Sequence, residues 1–222
     1  MRIHLKLTRN TEPLPFTHLH YLVGTLHKWL DEENELHGDL SLYSFSWLKG
    51  IEKSNNGFLE CRNGATWSIS AHDKTPIKKI MSGIMDDPKV CFGMSVREVI
   101  LQETPEFTST ERFVVGSPVL LKRRIEGRKQ QKHYSFNEPE TNELLTQVLK
   151  KKLLTANLND ENVKVYFDKS FINAKTKTVH YKNIKNNANI CPVIIEGSPE
   201  QIAFAWNVGV GHSTGIGFGF LN

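Results

Sequence analysis

Nine histidines are spread along the chain: His4, His18, His20, His27, His37, His72, His133, His180 and His212. Imidazole titrates near pH 6.5, so histidine can take up or release a proton near neutrality and is the first candidate for general acid–base work. Metal-assisted cutting would instead want carboxylates clustered with histidine. Asp31, Glu32, Glu33 and Glu35 are clustered, but the run reads as a solvated helix end. Cys61, Cys91 and Cys191 are far apart, odd in number and outside CxxC spacing. That argues against a disulfide framework or a zinc site and for buried structural thiols. Neither a metal nor a cofactor is expected.

A second feature with chemical potential is the tail. Residues 208–220 read Val-Gly-Val-Gly-His-Ser-Thr-Gly-Ile-Gly-Phe-Gly-Phe, with Gly209, Gly211, Gly215, Gly217 and Gly219 in a short span around His212. Glycine lacks a Cβ, so such a loop can lie close to a ligand and aim its N–H groups at phosphate. A dinucleotide fingerprint needs a strand before the glycines and a helix after them; here a helix is expected before them. A P-loop needs Gly-Lys-Ser/Thr, which is absent. The plain structural alternative is a tight turn packing a helix against a strand, although the alternating Gly-Ile-Gly-Phe-Gly-Phe end fits a simple turn poorly.

Charge is divided unevenly. Residues 1–112 carry 13 Lys and Arg against 15 Asp and Glu, whereas residues 113–222 carry 15 against 9. Lys122, Arg123, Arg124, Arg128, Lys129 and Lys132 form one basic group and Lys150, Lys151 and Lys152 another. A basic half favours a polyanionic partner, while the second group also suits a helix C-terminus. No apolar run approaches the ~20 residues of a membrane span. The opening Met-Arg-Ile-His-Leu-Lys-Leu alternates like a strand rather than a signal peptide. A cytoplasmic protein with no membrane partner is expected.

Elements must position these groups. Residues 2–8 predict a strand, and Thr17 is placed to cap a helix carrying Leu19, Leu22, Val23, Leu26, Trp29 and Leu30. His27 falls late on that helix and His37 in the loop after it. Strands follow at 42–48 and 58–70, with Asn55-Asn56-Gly57 as a hairpin signal. A helix at 74–85 and a strand at 90–103 complete a β-α-β-β-α-β order, which is ferredoxin-like. The second half repeats the order with variations. It predicts a hairpin at 113–124 and 130–136, and a helix at 138–154 capped by Asn137 with Pro139 in its first turn. Two strands are expected within 163–182 and another at 190–196. Ser198 should then cap a short helix, before the glycine loop and a final strand. The expected fold is α+β, two tandem ferredoxin-like domains at 1–108 and 109–222, linked near Thr104–Thr110.

The tail resembles the C-terminal glycine-rich loop of the repeat-associated RNA-binding superfamily of CRISPR systems. More narrowly, it resembles the CRISPR-associated endoribonucleases of the Cas-six family. The matching residues are Gly209–Gly211 and the Gly-Phe-Gly of Gly217–Gly219. Family-like segments in family order extend the resemblance over the whole chain. They are Met1–Leu7, Pro15-Phe16-x-His18 leading to Tyr21-Leu22-x-Gly24, Leu42–Ser46, and Gly116-Ser117-Pro118-Val119.

This resemblance implies metal-independent cutting of CRISPR repeat RNA to release guide RNAs, by attack of the upstream 2′-hydroxyl on the scissile phosphate. The products would be a 2′,3′-cyclic phosphate and a 5′-hydroxyl. His37 takes the position of the family's catalytic histidine, and His27 a position usually held by tyrosine or histidine. The family's lysine before the second strand falls near Ser41, a departure that leaves charge stabilisation to Lys28 or Lys49. RNA contacts are expected from Lys122, Arg123, Arg124, Arg128 and Lys129 on the basic hairpin and from Gly209, Gly211, His212, Gly215, Gly217 and Gly219 in the tail. Other subunits of a CRISPR effector complex are further expected partners. The alternative is a non-catalytic RNA-binding subunit of such a complex, since sister proteins share fold and loop.

Overall fold

A computed structural model describes residues 1–30, 40–54, 56–125, 127 and 131–222. The first half runs β1 (Arg2–Leu7), α1 (Leu19–Leu30), β2 (Tyr43–Phe45), β3 (Glu52–Lys53), β4 (Leu59–Glu60), β5 (Ala65–Ala71), α2 (Lys74–Asp86) and β6 (Val96–Gln102). The sheet order is β2-β5-β1-β6, antiparallel throughout, with Leu5 opposite both Trp67 and Val99. Alternation along β1 sends Ile3, Leu5 and Leu7 into one core with Leu22, Leu26 and Trp29 of α1 and Ile77, Ile80 and Ile84 of α2. Arg2, His4 and Lys6 therefore share the opposite sheet face.

The second half runs β7 (Thr110–Phe113), β8 (Lys122–Arg124), β9 (Gln131–His133), α3 (Thr141–Thr155), β10 (Lys164–Phe167), β11 (Lys175–Tyr181), β12 (Ile184–Ile190), β13 (Val193–Glu196) and α4 (Pro199–Val208). A 3₁₀ turn follows at Thr214–Ile216. Its sheet order is β10-β13-β7. Leu221 bridges Val115, and the Asn222 amide donates to the Val114 carbonyl at 2.9 Å, so the tail occupies the place of a fourth strand beside the continuation of β7. This is the order of the first sheet again, with β8–β9 and β11–β12 as inserted hairpins. A second core joins Leu145, Leu149 and Leu153 of α3 to Ile202 and Ala205 of α4 and to Val165, Val193 and Ile195.

Several expected boundaries move. The helix expected from 138 begins at Thr141, because Glu138–Glu140 form turns and the Thr141 hydroxyl donates to the carbonyls of Ser135 (2.9 Å) and Glu138 (2.6 Å). Asn137 is therefore not its cap, and the N-cap residue is Glu140. Thr17 does not cap α1: the His18 carbonyl takes the Leu22 amide, which makes His18 the cap residue. The strand expected over 113–124 is ordered mostly through single bridges, Val119 to Asn189 and Leu120 to His212, and only 122–124 pairs as a hairpin. The expected final strand is likewise reduced to the Leu221 bridge. Ser198 forms a full capping box with Gln201, with Pro199 in the first turn, as its local sequence dictates. All three cysteines are free thiols: Cys61 and Cys191 are buried just past β4 and β12, whereas Cys91 is half-buried between α2 and β6, and burial is the chief cause that raises the pKa of each. Among the described residues, no helix is long and apolar enough to cross a membrane.

Candidate nucleic-acid interface

The end of α1 is firmly held. The Thr25 hydroxyl donates to the Val90 carbonyl at 2.8 Å and the Trp29 indole to the Asp87 carbonyl at 2.9 Å. Lys28 makes an ion pair with Asp87 at 2.9 Å and donates to the Lys89 carbonyl at 2.7 Å. Its ammonium thus serves the junction between α1 and the segment after α2. His27 is half-buried in the last helical turn. His37 lies outside the described residues, as does the acidic run 31–35.

From Ser41 to Trp47 the chain meets the tail. The Thr214 hydroxyl donates to the Ser41 carbonyl at 3.4 Å, the Tyr43 hydroxyl to the Gly215 carbonyl at 3.5 Å, and the Trp47 indole to the Gly217 carbonyl at 3.1 Å. Burial raises the Tyr43 pKa, keeping the phenol protonated. Lys49 donates to the Asn222 side chain at 2.8 Å. Ser41, Lys49 and the tail are therefore neighbours, while Lys28 serves another contact.

The glycines of the tail are buried rather than presented. The amides of Gly209, Gly217 and Gly219 donate inward, to the carbonyls of Ala205 (2.8 Å), Thr214 (3.2 Å) and Pro118 (2.8 Å). This corrects the expectation that these three aim N–H groups at phosphate: their backbone donors are used by the fold. Close packing explains the glycines instead. A Cβ on Gly211 would stand 2.7 Å from the Leu120 carbonyl oxygen, and one on Gly219, at φ +65°, would run into the Val210 carbonyl. Only His212, Ser213 and Ile216 of this segment are half-open. The His212 Nδ1 accepts the Lys122 amide at 3.4 Å, and burial, aided by Lys122 and Lys152, pushes its pKa down to about 4. His212 is neutral near pH 7.

Two buried cations hold this tail, and neither stands out in the sequence. The Lys152 ammonium donates to the carbonyls of Val208 and Gly209, each at 3.2 Å, and to the Thr214 hydroxyl at 3.0 Å. Burial pushes its pKa down to about 7. The Arg2 guanidinium donates to the carbonyls of Trp206 (3.0 Å) and Leu221 (2.7 Å) and stacks over the rings of Trp206 and Phe220, 3.4 and 4.2 Å from their centroids. Both face the C-terminal end of α4, where helix carbonyls lack partners and the dipole favours cations. Lys152 does meet a helix C-terminus, but that of α4 rather than its own. For Arg2 the available signal was the β1 alternation, which puts it opposite the core face.

The basic hairpin stands beside the tail. On β8, Lys122, Arg123 and Arg124 pair with His133, Lys132 and Gln131 of β9. Arg123 donates to Gln147 at 2.8 Å, and Arg124 is exposed. The Lys122 amide bonded to His212 ties the root of the hairpin to the half-open part of the tail. Arg128 and Lys129 lie outside the described residues. Among the described residues, no group of three or more His, Cys, Asp or Glu could hold a metal ion.

Two ferredoxin-like units in tandem, the tail of the second buried against the first, define the class: a tandem ferredoxin-like α+β protein. The chain belongs to the CRISPR-associated Cas6 family, whose model "CRISPR associated protein Cas6, C-terminal" matches residues 102–222, more than half of it. Among solved structures, it is similar to a Cas6-related protein from Pyrococcus furiosus. That match has 20% identity and a TM-score of 0.86, and covers 100% of this chain and 97% of the other. A RAMP protein described as binding different RNA substrates matches at 17% identity and TM-score 0.86, with 100% and 98% covered. A Cas6 product complex matches at 13% identity and TM-score 0.67, with 100% and 98% covered. Likeness at these identities establishes the fold. No curated protein sequence matches this chain.

Proposed function

We propose that this chain is a metal-independent endoribonuclease that cuts CRISPR repeat RNA, with His27 and His37 as its acid–base pair. What supports this reading is where the described residues on either side of His37 lie. On one side, His27 lies in the last turn of α1; on the other, Ser41 touches Thr214 and Gly215 of the tail. His37 is four residues from Ser41, at most about 14 Å of extended chain. His27 thus ends a pinned helix, and His37 lies within that reach of Ser41, which meets the tail adjoining the basic hairpin.

The reaction asks three things of such a site. A base removes the proton from the 2′-hydroxyl as its oxygen attacks phosphorus. An acid protonates the 5′-oxygen as the P–O5′ bond breaks. Positive charge steadies the phosphorane. Lys122, Arg123 and Arg124, with Arg128 and Lys129, would hold the RNA backbone, and His212 would meet it from the tail. Cleavage of repeat RNA by the purified protein in excess EDTA tests the reading. His37→Ala and His27→Ala should each slow cutting by roughly 10²–10⁴-fold while RNA binding stays near normal. An equal loss of binding would count against the catalytic roles.

A second reading, a non-catalytic RNA-binding subunit, is favoured by one observation. The two lysines considered for charge stabilisation are already engaged, Lys28 with Asp87 and Lys49 with Asn222, and the family's lysine slot falls near Ser41. Binding without any cutting in the same assay would select it.

A further inference from the structure

At the opposite end of α1 from His27, a cleft of about 380 Å³ opens between the two halves of the molecule. That volume lies within the range of small-ligand pockets. Its walls come from the α1 approach (Phe16, His18), from the segment after β2 (Trp47, Lys53), and from β11 (Lys177, His180). The chemistry is one-sided. Lys177 sits over the Trp47 ring at 4.8 Å and Lys53 over the Phe16 ring at 5.7 Å, and no carboxylate is among the described lining residues. Phe16 is 53% exposed although large and aromatic. His18 donates through Nδ1 to the Pro15 carbonyl at 2.9 Å, which leaves its Nε2 available as an acceptor. Aromatic rings with flanking cations form a slot for a flat, anionic ligand.

We propose that this slot takes one nucleotide of single-stranded RNA, its base against the Phe16 and Trp47 rings and its phosphates toward Lys53 and Lys177. The proposal rests on the RNA-binding part of the reading above but not on cutting. His18 and His27 are nine residues apart on one helix, about 14 Å along its axis. The slot is thus a second grip, away from the candidate catalytic end. Stacking on aromatic rings with backbone cations alongside is how single strands are held without sequence preference. Because β11 supplies one wall, occupation would also bridge the two halves.

The test uses the full chain and an eight-nucleotide oligoadenylate. Trp29, Trp67 and Trp206 are buried, so Trp47 is the tryptophan placed to report a stacked base. The oligonucleotide should quench tryptophan emission, and Trp47→Phe should abolish the quench while binding persists by anisotropy. Phe16→Ala should weaken binding about 5- to 150-fold, the span of one base–aromatic stack. Lys53→Ala with Lys177→Ala should lower the salt slope of log K by ~1.4 for two lost phosphate contacts on a single strand. All three of these side chains are exposed, so an unchanged urea midpoint verifies that the variants fold. Wild-type protein that binds repeat RNA but shows no quench, with Phe16→Ala binding the oligonucleotide normally, overturns the slot and leaves the function intact. Protein that binds neither RNA overturns both.

Discussion

Replacing Lys152 by methionine keeps the length of its apolar stem and removes its terminal nitrogen from beneath the tail. In the unfolded chain this lysine titrates near 10.4, and in the fold near 7 because of burial. Below about pH 7 both states hold the proton, so the full cost of burying the charge is present. Between about 7 and 10.4 the unfolded chain holds a proton that the folded chain has released, so wild-type stability rises with pH. The slope for one proton is about 1.4 kcal/mol per pH unit, or ~4 kcal/mol over three units, less if the site relaxes. Methionine has no such slope, and it leaves the Val208 and Gly209 carbonyls and the Thr214 hydroxyl without their donor, about 1–3 kcal/mol for each group left unsatisfied. The neighbouring His212 titrates near 4, outside the window. Urea unfolding of both proteins from pH 6 to 10 should therefore show the variant several kcal/mol less stable at pH 10, the gap narrowing steadily toward pH 7. A gap that stays flat across that range would mean the lysine keeps its proton in the fold, and the reasoning fails.

Gly219→Ala should cost about 2–4 kcal/mol in urea unfolding, because its Cβ meets the Val210 carbonyl at a positive φ. An unchanged midpoint would show that the tail repacks. Arg124→Ala should leave the unfolding midpoint alone and lower the salt slope of RNA binding by ~0.7–0.9, one phosphate contact. A slope equal to wild type would remove this residue from the interface. His212→Asn should preserve the shape of the pH–rate profile from pH 5 to 9, since His212 is already neutral there. A lost limb of the profile would place it among the proton-transfer groups.

What could be read from the sequence was what is decided locally. Ser198, Pro199 and Gln201 specify the start of α4 within four residues, and the spacing of Leu22, Leu26 and Trp29 specifies the buried face of α1. The repeated element order followed from such local signals, and the two sheets share one strand order. Decisions made by distant partners were not legible. Lys152 looks like its neighbours Lys150 and Lys151 until the C-terminal end of α4 is placed over it. The glycines of the tail look ready for a ligand until their amides are seen donating to Ala205, Thr214 and Pro118. Residues 113–121 have the apolar character of a strand, but single bridges to Asn189, His212 and Leu221 order them. His18 and His180 lie far apart in sequence, and only the approach of β11 to α1 puts them in one cleft.

Phe218 fills the core of the first half, and Arg2 grips the Leu221 carbonyl. β1 is therefore finished by residues more than 200 positions later in the chain. Until those residues emerge, Phe45 and Leu19 lack Gly217, which lies against them, and the Arg2 guanidinium lacks the Leu221 carbonyl. Contacts this distant along the chain slow closure, and a nascent first half would present an incomplete apolar groove for the whole of its elongation. The same seam makes loss of the tail a lesion of both halves at once: cutting the chain before residue 217 should unsettle the N-terminal sheet as much as the C-terminal one.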